Sequence, residues 1–161
     1  MLAATDSRTR CVFTIPSPVK GAANLFAVKE LAKAVEFLGY RRLIVKCDDE
    51  SVINDIRRNL KRHCTDCEIL VEDVPVGESQ SNAEIESHVG AVGGLCRTLR
   101  SALVSHYGED VIHAKHPILT WLVQYAGSVY TTFNLGVDGK SGYQRARGRP
   151  YRVPDGLPEF G

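Results

Sequence analysis

Apolar residues recur every three or four positions in four stretches of the chain, and this spacing predicts four helices. Three of these stretches are Ala22–Leu38, Ser51–His63 and Pro117–Phe133. The other helix takes Ser81 or Asn82 as its N-cap, and a break is expected near its glycine pair at 93–94. Its inward stripe comprises Ile85, Val89, Val92, Cys96, Leu99 and Leu103.

Short apolar runs of β type lie between these helices. They predict three strands, at Arg10–Pro16, Arg42–Cys47 and Glu68–Val71. Strands that alternate with helices are typical of an α/β sheet flanked by helices. From Gly136 onward the chain is rich in Gly, Pro and Arg, which favours an extended segment. The pattern therefore predicts a core domain over 1–135 and a basic C-terminal extension over 136–161.

Composition narrows the class of protein. A chain of 161 residues with 43% hydrophobic and 24% charged residues has enough mass for one globular domain. Its net charge of +1 means that any nucleic-acid site is a local patch. Five cysteines at irregular spacing indicate reduced thiols and an intracellular protein. No apolar run is long enough to span a membrane, and the start MLAATDSRTR lacks the core of a signal peptide.

Two acidic positions are candidate metal ligands. Asp48 follows the strand Arg42–Cys47, and α/β proteins usually place sites at the carboxyl ends of buried strands. Glu86 falls about one turn into the long helix, where the helix dipole favours a carboxylate. Hard cations such as Mg²⁺ prefer carboxylate oxygens from rigid elements, so the two could hold one ion. Asp49 and Glu84 are the weaker candidates, and the alternative for Glu86 is a solvated helical residue.

Basic residues concentrate on the long helix and near the C-terminus. Lys140–Arg152 contains no acid and includes two tyrosines, which suits phosphate contacts and base stacking. The alternative is a solvated tail or a strap packed across the domain. On the long helix, two arginines share the face of Glu86 at 3.6 residues per turn. The residues predicted to bind DNA are Arg97, Arg100, Lys140, Arg145, Arg147, Arg149 and Arg152.

Cys64 and Cys67 are separated by two residues, and His63 adjoins them. A structural zinc site needs four ligands, and the sequence offers no second pair at suitable spacing. We therefore interpret this stretch as a loop with two thiols.

Two short strings resemble those of retroviral and retrotransposon integrase catalytic cores. VGESQSNAEIE, over 76–86, resembles the family string P-x-x-x-x-Q-S-N-G-x-x-E, and CDDE, over 47–50, resembles a strand that ends on an aspartate. The acids that match, Asp48 and Glu86, lie 38 positions apart, which is close to the family spacing. The resemblance extends over about residues 6–151. It departs from the family at Ala83 in place of glycine and at Cys47 in place of serine, and neither change removes a ligand.

The resemblance implies a ribonuclease H-like fold with a mixed sheet flanked by helices. It also implies DNA integration, by metal-dependent phosphodiester cleavage and strand transfer. Two Mg²⁺ or Mn²⁺ ions would be held by Asp48 and Glu86. The expected partners are DNA and further copies of the chain, and the expected location is the nucleus. The alternatives are an inactive nucleic-acid-binding remnant of such an element and another ribonuclease H-like nuclease.

The resemblance further implies a third acid, in an opening strand of the sheet. Ahead of Glu30 the chain offers only Asp6, in the string DSRTR. That string resembles one the family carries later, at a hairpin turn, where the aspartate is not a ligand. We therefore expect the opening strand and its aspartate to lie upstream of Met1. By resemblance the chain is a polynucleotide transferase or nuclease, but a truncated copy of this kind would be catalytically incomplete.

Overall fold

The computed structural model describes residues 1–17, 25–47, 51–73, 79–153 and 160. These residues form a mixed α/β fold with two small sheets and five helices. In chain order the elements are β1 Leu2–Thr5, β2 Val12–Ile15, α1 Leu25–Leu38, β3 Arg42–Cys47, α2 Ser51–His63, β4 Glu68–Asp73, α3 Ser79–Tyr107, α4 Ile118–Phe133 and α5 Gly142–Arg147. The predicted α/β class is confirmed.

The chain divides into two compact units. Unit 1 contains Ala3–Pro16 and Ile85–Gly161, together with Met1. Unit 2 contains Ser17–Glu84, together with Leu2. Each unit has its own small sheet and its own helices.

Unit 1 is built on the strand pair β1–β2 and the helices α3 and α4. The two strands are joined by a tight turn and are hydrogen-bonded to each other, which makes them an antiparallel hairpin. Strand β2 is fixed to α4 because the Thr131 hydroxyl accepts from the Val12 N–H at 2.8 Å and donates to the Val12 carbonyl at 2.9 Å. The Thr14 hydroxyl donates to the Val123 carbonyl at 2.6 Å.

Two clusters of buried side chains form the core of unit 1. The first joins β2, α3 and α4 through Val12, Val92 and Ala126. The second joins the distal half of α3 to α4 and the loop between them through Leu103, Ile112 and Leu122. Val92 and Leu103 belong to the stripe predicted from sequence, so the inward face of α3 is the predicted one.

Unit 2 contains a parallel strand pair with its crossover helix. Strand β3 pairs with β4 in a register that runs from Arg42 opposite Glu68 to Cys47 opposite Asp73. Helix α2 connects the two strands and packs against α1. Ile69 and Leu60 are buried, at 2% and 4% exposure, and they anchor the sheet and the helix in the core of this unit.

Several boundaries differ from the predicted ones. Strand β1 was not predicted, and helix α3 begins at Ser79 and continues to Tyr107 without a break at its glycine pair. The segment after α4 is not extended, because Leu135 and Ser141 form an antiparallel bridge that leads into α5. The Ser141 hydroxyl caps α5 by accepting from the Gln144 N–H, and Gly148 ends it in a left-handed conformation.

Candidate functional site

Glu86 lies on the exposed side of α3. The helix begins at Ser79, so Glu86 is about two turns from its start rather than one. The dipole stabilisation expected for a first-turn carboxylate is therefore largely lost at this position. What remains is a carboxylate held on a long, regular helix and directed away from the core.

The orientation of Glu86 is set by a buried histidine that the sequence reading missed. His88 is 6% exposed, and its Nδ1 lies 3.2 Å from the Thr5 hydroxyl. Its ring meets that of Tyr130 edge-on, with the centroids 5.6 Å apart. His88 thereby ties α3 to β1 and α4, and a residue two positions earlier on a helix points to nearly the opposite side. The sequence signal that could have identified His88 was its position directly before Val89, a residue of the apolar stripe.

The same face of α3 continues through small residues to two exposed arginines. Gly90 is exposed one turn beyond Glu86, and Arg97 and Arg100 are exposed further along. At a rise of 1.5 Å per residue, these arginines lie roughly 16 and 21 Å from Glu86 along the helix axis. This face of α3 therefore carries, in order along the helix, the Glu86 carboxylate, a glycine without a side chain, and the two arginines.

The side chain of Arg97 lies close to the glycine pair of α3, Gly93 and Gly94. A β-carbon at Gly93 would lie 3.6 Å from Nη1 of Arg97, and one at Gly94 would lie 3.9 Å from Nη2. The guanidinium thus lies back along the helix surface over the two glycines. This contact, rather than a break in the helix, is what the glycine pair provides.

Asp48, Asp49 and the adjacent Glu50 fall outside the described residues, and strand β3 ends at Cys47, directly before them. The predicted position of Asp48 after a strand therefore agrees with the bounds of β3, while its distance from Glu86 stays a prediction. In the described part of the chain, no group of three or more His, Cys, Asp or Glu side chains is arranged to hold a metal ion. The Mg²⁺ site is accordingly a proposal.

Asp6 belongs to the turn between β1 and β2. Its Oδ2 accepts from the Thr9 N–H at 2.8 Å and from the Thr9 hydroxyl at 2.5 Å. The turn ends at Arg10, whose φ of 61° lies in the left-handed region. The hairpin-turn position expected from the string DSRTR is the one the structure has, and the Asp6 carboxylate stabilises that turn.

Arg145 has an intramolecular role within unit 1. Its Nη1 donates to the Thr9 carbonyl at 3.1 Å, while Nε and Nη2 donate to the two oxygens of Asp138 at 3.1 and 2.5 Å. The pKa of the Asp138 carboxyl falls to about 2, mainly because Arg145 donates to it and also because the Lys140 N–H does. Arg145 thus fastens the segment after α4 to the β1–β2 turn.

The other basic residues of the C-terminal segment are more accessible. Lys140, Arg147, Arg149 and Arg152 are all exposed. Tyr151 packs beside Tyr143 and Phe133, with ring centroids 5.2 and 5.9 Å apart. Tyr151 thus contacts both of the other rings, so the tyrosines contribute to a strap as well as to a basic surface.

Cys64 and Cys67 are half-buried free thiols after α2. Burial raises the pKa of both thiols, and the neighbouring Cys67 raises that of Cys64 further.

Comparison with known proteins gives a structural neighbour and nothing at the level of sequence. No protein-family model matches the chain, and no curated protein does. Its fold is similar to that of a chain in a retroviral intasome. The neighbour is the cryo-EM structure of the simian T-cell lymphotropic virus intasome in complex with PP2A regulatory subunit B56 gamma, at a TM-score of 0.61 and 16% identity.

That superposition covers 97% of this chain and 51% of the neighbouring chain, so this chain spans about half the neighbour's length. At this identity the similarity establishes the fold alone, a mixed α/β fold like that of the intasome chain. In the described residues no helix is long and apolar enough to cross a bilayer.

Proposed function

We propose that this chain is the catalytic core of a DNA integrase from a retrotransposon. It would cut and join DNA strands by metal-dependent phosphodiester chemistry. The observation that carries the proposal is the position of Glu86, the last residue of the string QSNAEIE, exposed on α3 in line with Arg97 and Arg100. The intasome-like fold supports the same function.

The residues have distinct roles in this proposal. Asp48 and Glu86 would hold Mg²⁺ or Mn²⁺, which polarises the attacking oxygen and stabilises the leaving one. Arg97 and Arg100 would bind DNA phosphates along α3, where the exposed Gly90 lets a backbone approach closely. The DNA, and further copies of the chain, are the proposed partners, and the nucleus is the proposed location.

Manganese binding tests the metal site directly. Electron paramagnetic resonance of free Mn²⁺ would be used to titrate the wild-type chain, Glu86→Gln and Asp48→Asn. Loss of a group that merely orients a ligand costs about 10- to 100-fold in metal affinity, so loss of a ligand should cost at least about tenfold. Glu109→Gln, an exposed glutamate in the loop after α3, is the control and should leave the affinity unchanged. Equal affinities for the wild type and Glu86→Gln would contradict the proposed role of Glu86.

A nicking and strand-transfer assay on a duplex oligonucleotide separates the integrase from its alternative. Activity with Mg²⁺ or Mn²⁺ that Glu86→Gln abolishes would support the integrase. Mn²⁺ binding through Glu86 without turnover is the result expected if a further aspartate is needed. DNA binding without any Glu86-dependent Mn²⁺ binding would favour an inactive nucleic-acid-binding remnant.

A further inference from the structure

Positive charge is concentrated on helix α2. Its sequence, SVINDIRRNLKRH, contains four Arg or Lys residues and one Asp, an excess of three positive charges in 13 residues. The whole chain has a net charge of only +1, so the rest of the molecule is slightly acidic. The charge of the chain is therefore segregated, and a local positive potential is expected at α2.

Three of these cations share one exposed side of the helix. Arg58, Lys61 and Arg62 are exposed, and their three- and four-residue spacing places them within about 100° of the helix circumference. Ile56 and Leu60 are buried on the opposite side. We call Arg58, Lys61 and Arg62 the α2 basic face. Arg57, which precedes Arg58 in the chain, is 6% exposed and belongs to the interior of unit 2.

The α2 basic face differs from the surface of the neighbouring sheet. On β3 and β4 the exposed cations are paired across the strands, Arg42 with Glu68 at 2.7 Å and Lys46 with Glu72 at 3.2 Å. Lys61 and Arg62 have no acidic partner among the residues that the structure describes. Lys61 and Arg62 also lie in the last turn of α2, where cations complement the helix dipole.

The residue composition of the α2 basic face indicates which kind of polyanion it binds, an acidic protein or a nucleic-acid backbone. Over 56–63, where the side chains of α2 are described, no aliphatic, Phe, Tyr or Trp side chain is exposed, and the exposed residues are Arg58, Lys61, Arg62 and His63. A protein partner normally buries an apolar or aromatic centre, whereas a phosphate backbone needs only Lys and Arg. We propose that the α2 basic face binds the phosphate backbone of duplex DNA. This contact belongs to unit 2 and is separate from the α3 face that carries Glu86.

The salt dependence of DNA binding tests this inference. Fluorescence anisotropy would measure the affinity of the full chain for a 30-base-pair duplex across a series of NaCl concentrations, without divalent metal. Each phosphate contact that is lost should lower the slope of log K against log[salt] by about one. The triple variant Arg58→Gln, Lys61→Gln, Arg62→Gln should therefore lower the slope by about two to three. Glutamine keeps the helix propensity close to that of the native residues.

A second triple variant controls for net charge. Lys29→Gln, Lys33→Gln, Arg41→Gln removes the same number of cations from exposed positions of the same unit but not from α2. It should change the slope by less than about one. Equal slope changes in the two triple variants, or none in the α2 variant, would overturn the inference. Circular dichroism at matched temperature establishes that both variants are folded.

A binding measurement with a second ligand distinguishes DNA from an acidic protein segment. Polyglutamate replaces the duplex as the ligand in the same buffers. If the α2 variant loses affinity for polyglutamate but binds DNA like the wild type, the face binds acidic protein and the inference is wrong. Because this assay contains no metal and measures no turnover, its outcome is independent of whether Glu86 is catalytic.

Discussion

At the scale of single residues, two aspartates of unit 1, Asp6 and Asp138, act in turns. The Asp6 carboxylate bonds the Thr9 N–H and hydroxyl, and Asp138 binds Arg145. Neither role can be read from the acid alone, because an aspartate in a turn and an aspartate in a metal site have the same chemistry. The difference lies in which donors the fold brings within hydrogen-bond distance.

Replacing Asp6 should affect stability and not metal binding. Asp6→Ala removes the acceptor of two hydrogen bonds in the β1–β2 turn, so we expect the free energy of unfolding in urea to fall by about 1–2 kcal/mol. Asp6→Asn keeps one side-chain oxygen and should lose less. Mn²⁺ affinity should equal that of the wild type in both variants. A drop in Mn²⁺ affinity in Asp6→Asn would instead identify Asp6 as a ligand.

The Asp138–Arg145 pair should give stability a defined pH dependence. The pKa of Asp138 is lowered from 3.8 to about 2 in the folded chain, so its carboxylate stabilises the fold above about pH 4. This contribution is lost as pH falls from about 4 to about 2, because the carboxyl then becomes protonated in the folded state too. The difference in unfolding free energy between the wild type and Asp138→Asn should shrink across that range. Asp110→Asn, an exposed loop variant, should show no such change.

At the scale of elements, close packing of α4 on β2 depends on Gly127. A β-carbon there would overlap the Thr14 side chain and would lie 3.3 Å from the Thr14 backbone nitrogen. Gly90, on the exposed side of α3, has nothing within 4 Å of the same position. Replacing glycine by alanine is therefore expected to have opposite effects on stability at the two positions.

Alanine at these two positions should shift stability in opposite directions. Gly127→Ala should lower the unfolding free energy by about 1–3 kcal/mol, because the overlap with β2 outweighs the gain in helix propensity. Gly90→Ala should raise it by up to about 1 kcal/mol, because only the propensity changes. Urea denaturation of both variants measures this. Stabilisation in Gly127→Ala would mean that α4 does not pack on β2 at this distance.

The sequence predicted elements whose signal is local and missed those whose signal is not. The apolar stripe of α3 gives the phase of the helix, which is enough to put Glu86 outside and Val92 inside. Strand β1, with the sequence LAAT, has little β character and exists because it pairs with β2 across a turn. Helix α5 depends on the Ser141 cap and the Gly148 terminus, which are inconspicuous in a Gly- and Arg-rich segment.

Contacts between residues far apart in the sequence were the second feature that could not be predicted from it. Arg145 and the Thr9 carbonyl are 136 positions apart, and Thr5 and His88 are 83 apart. No sequence periodicity connects such residues. A basic residue that makes an intramolecular contact and one that binds a phosphate therefore look the same in the sequence. The predicted DNA-binding set therefore grouped Arg145 with residues that the structure leaves accessible.

At the scale of the whole molecule, DNA binding has to arise from local charge, because the net charge is +1. The accessible cations Arg147, Arg149 and Arg152 lie in one segment of unit 1, beside the strap that Arg145 secures. If this segment binds DNA, these exposed arginines should respond to substitution differently from Arg145, which donates to Asp138 and to the Thr9 carbonyl. Within this short segment, substitutions of Arg145 can therefore be compared with substitutions of its exposed neighbours.

Changing Arg147, Arg149 and Arg152 together to Gln should lower the slope of log K against log[salt] by about three. Arg145→Gln should instead lower the unfolding free energy and leave the slope nearly unchanged, because its guanidinium is committed to Asp138 and Thr9. Salt titrations of duplex binding and urea denaturation provide the two measurements. If the triple variant keeps the wild-type slope, the segment is a structural strap, and DNA binding has to be sought on α3 and α2. A slope lowered by about one in Arg145→Gln at unchanged stability would show that Arg145 contacts phosphate after all.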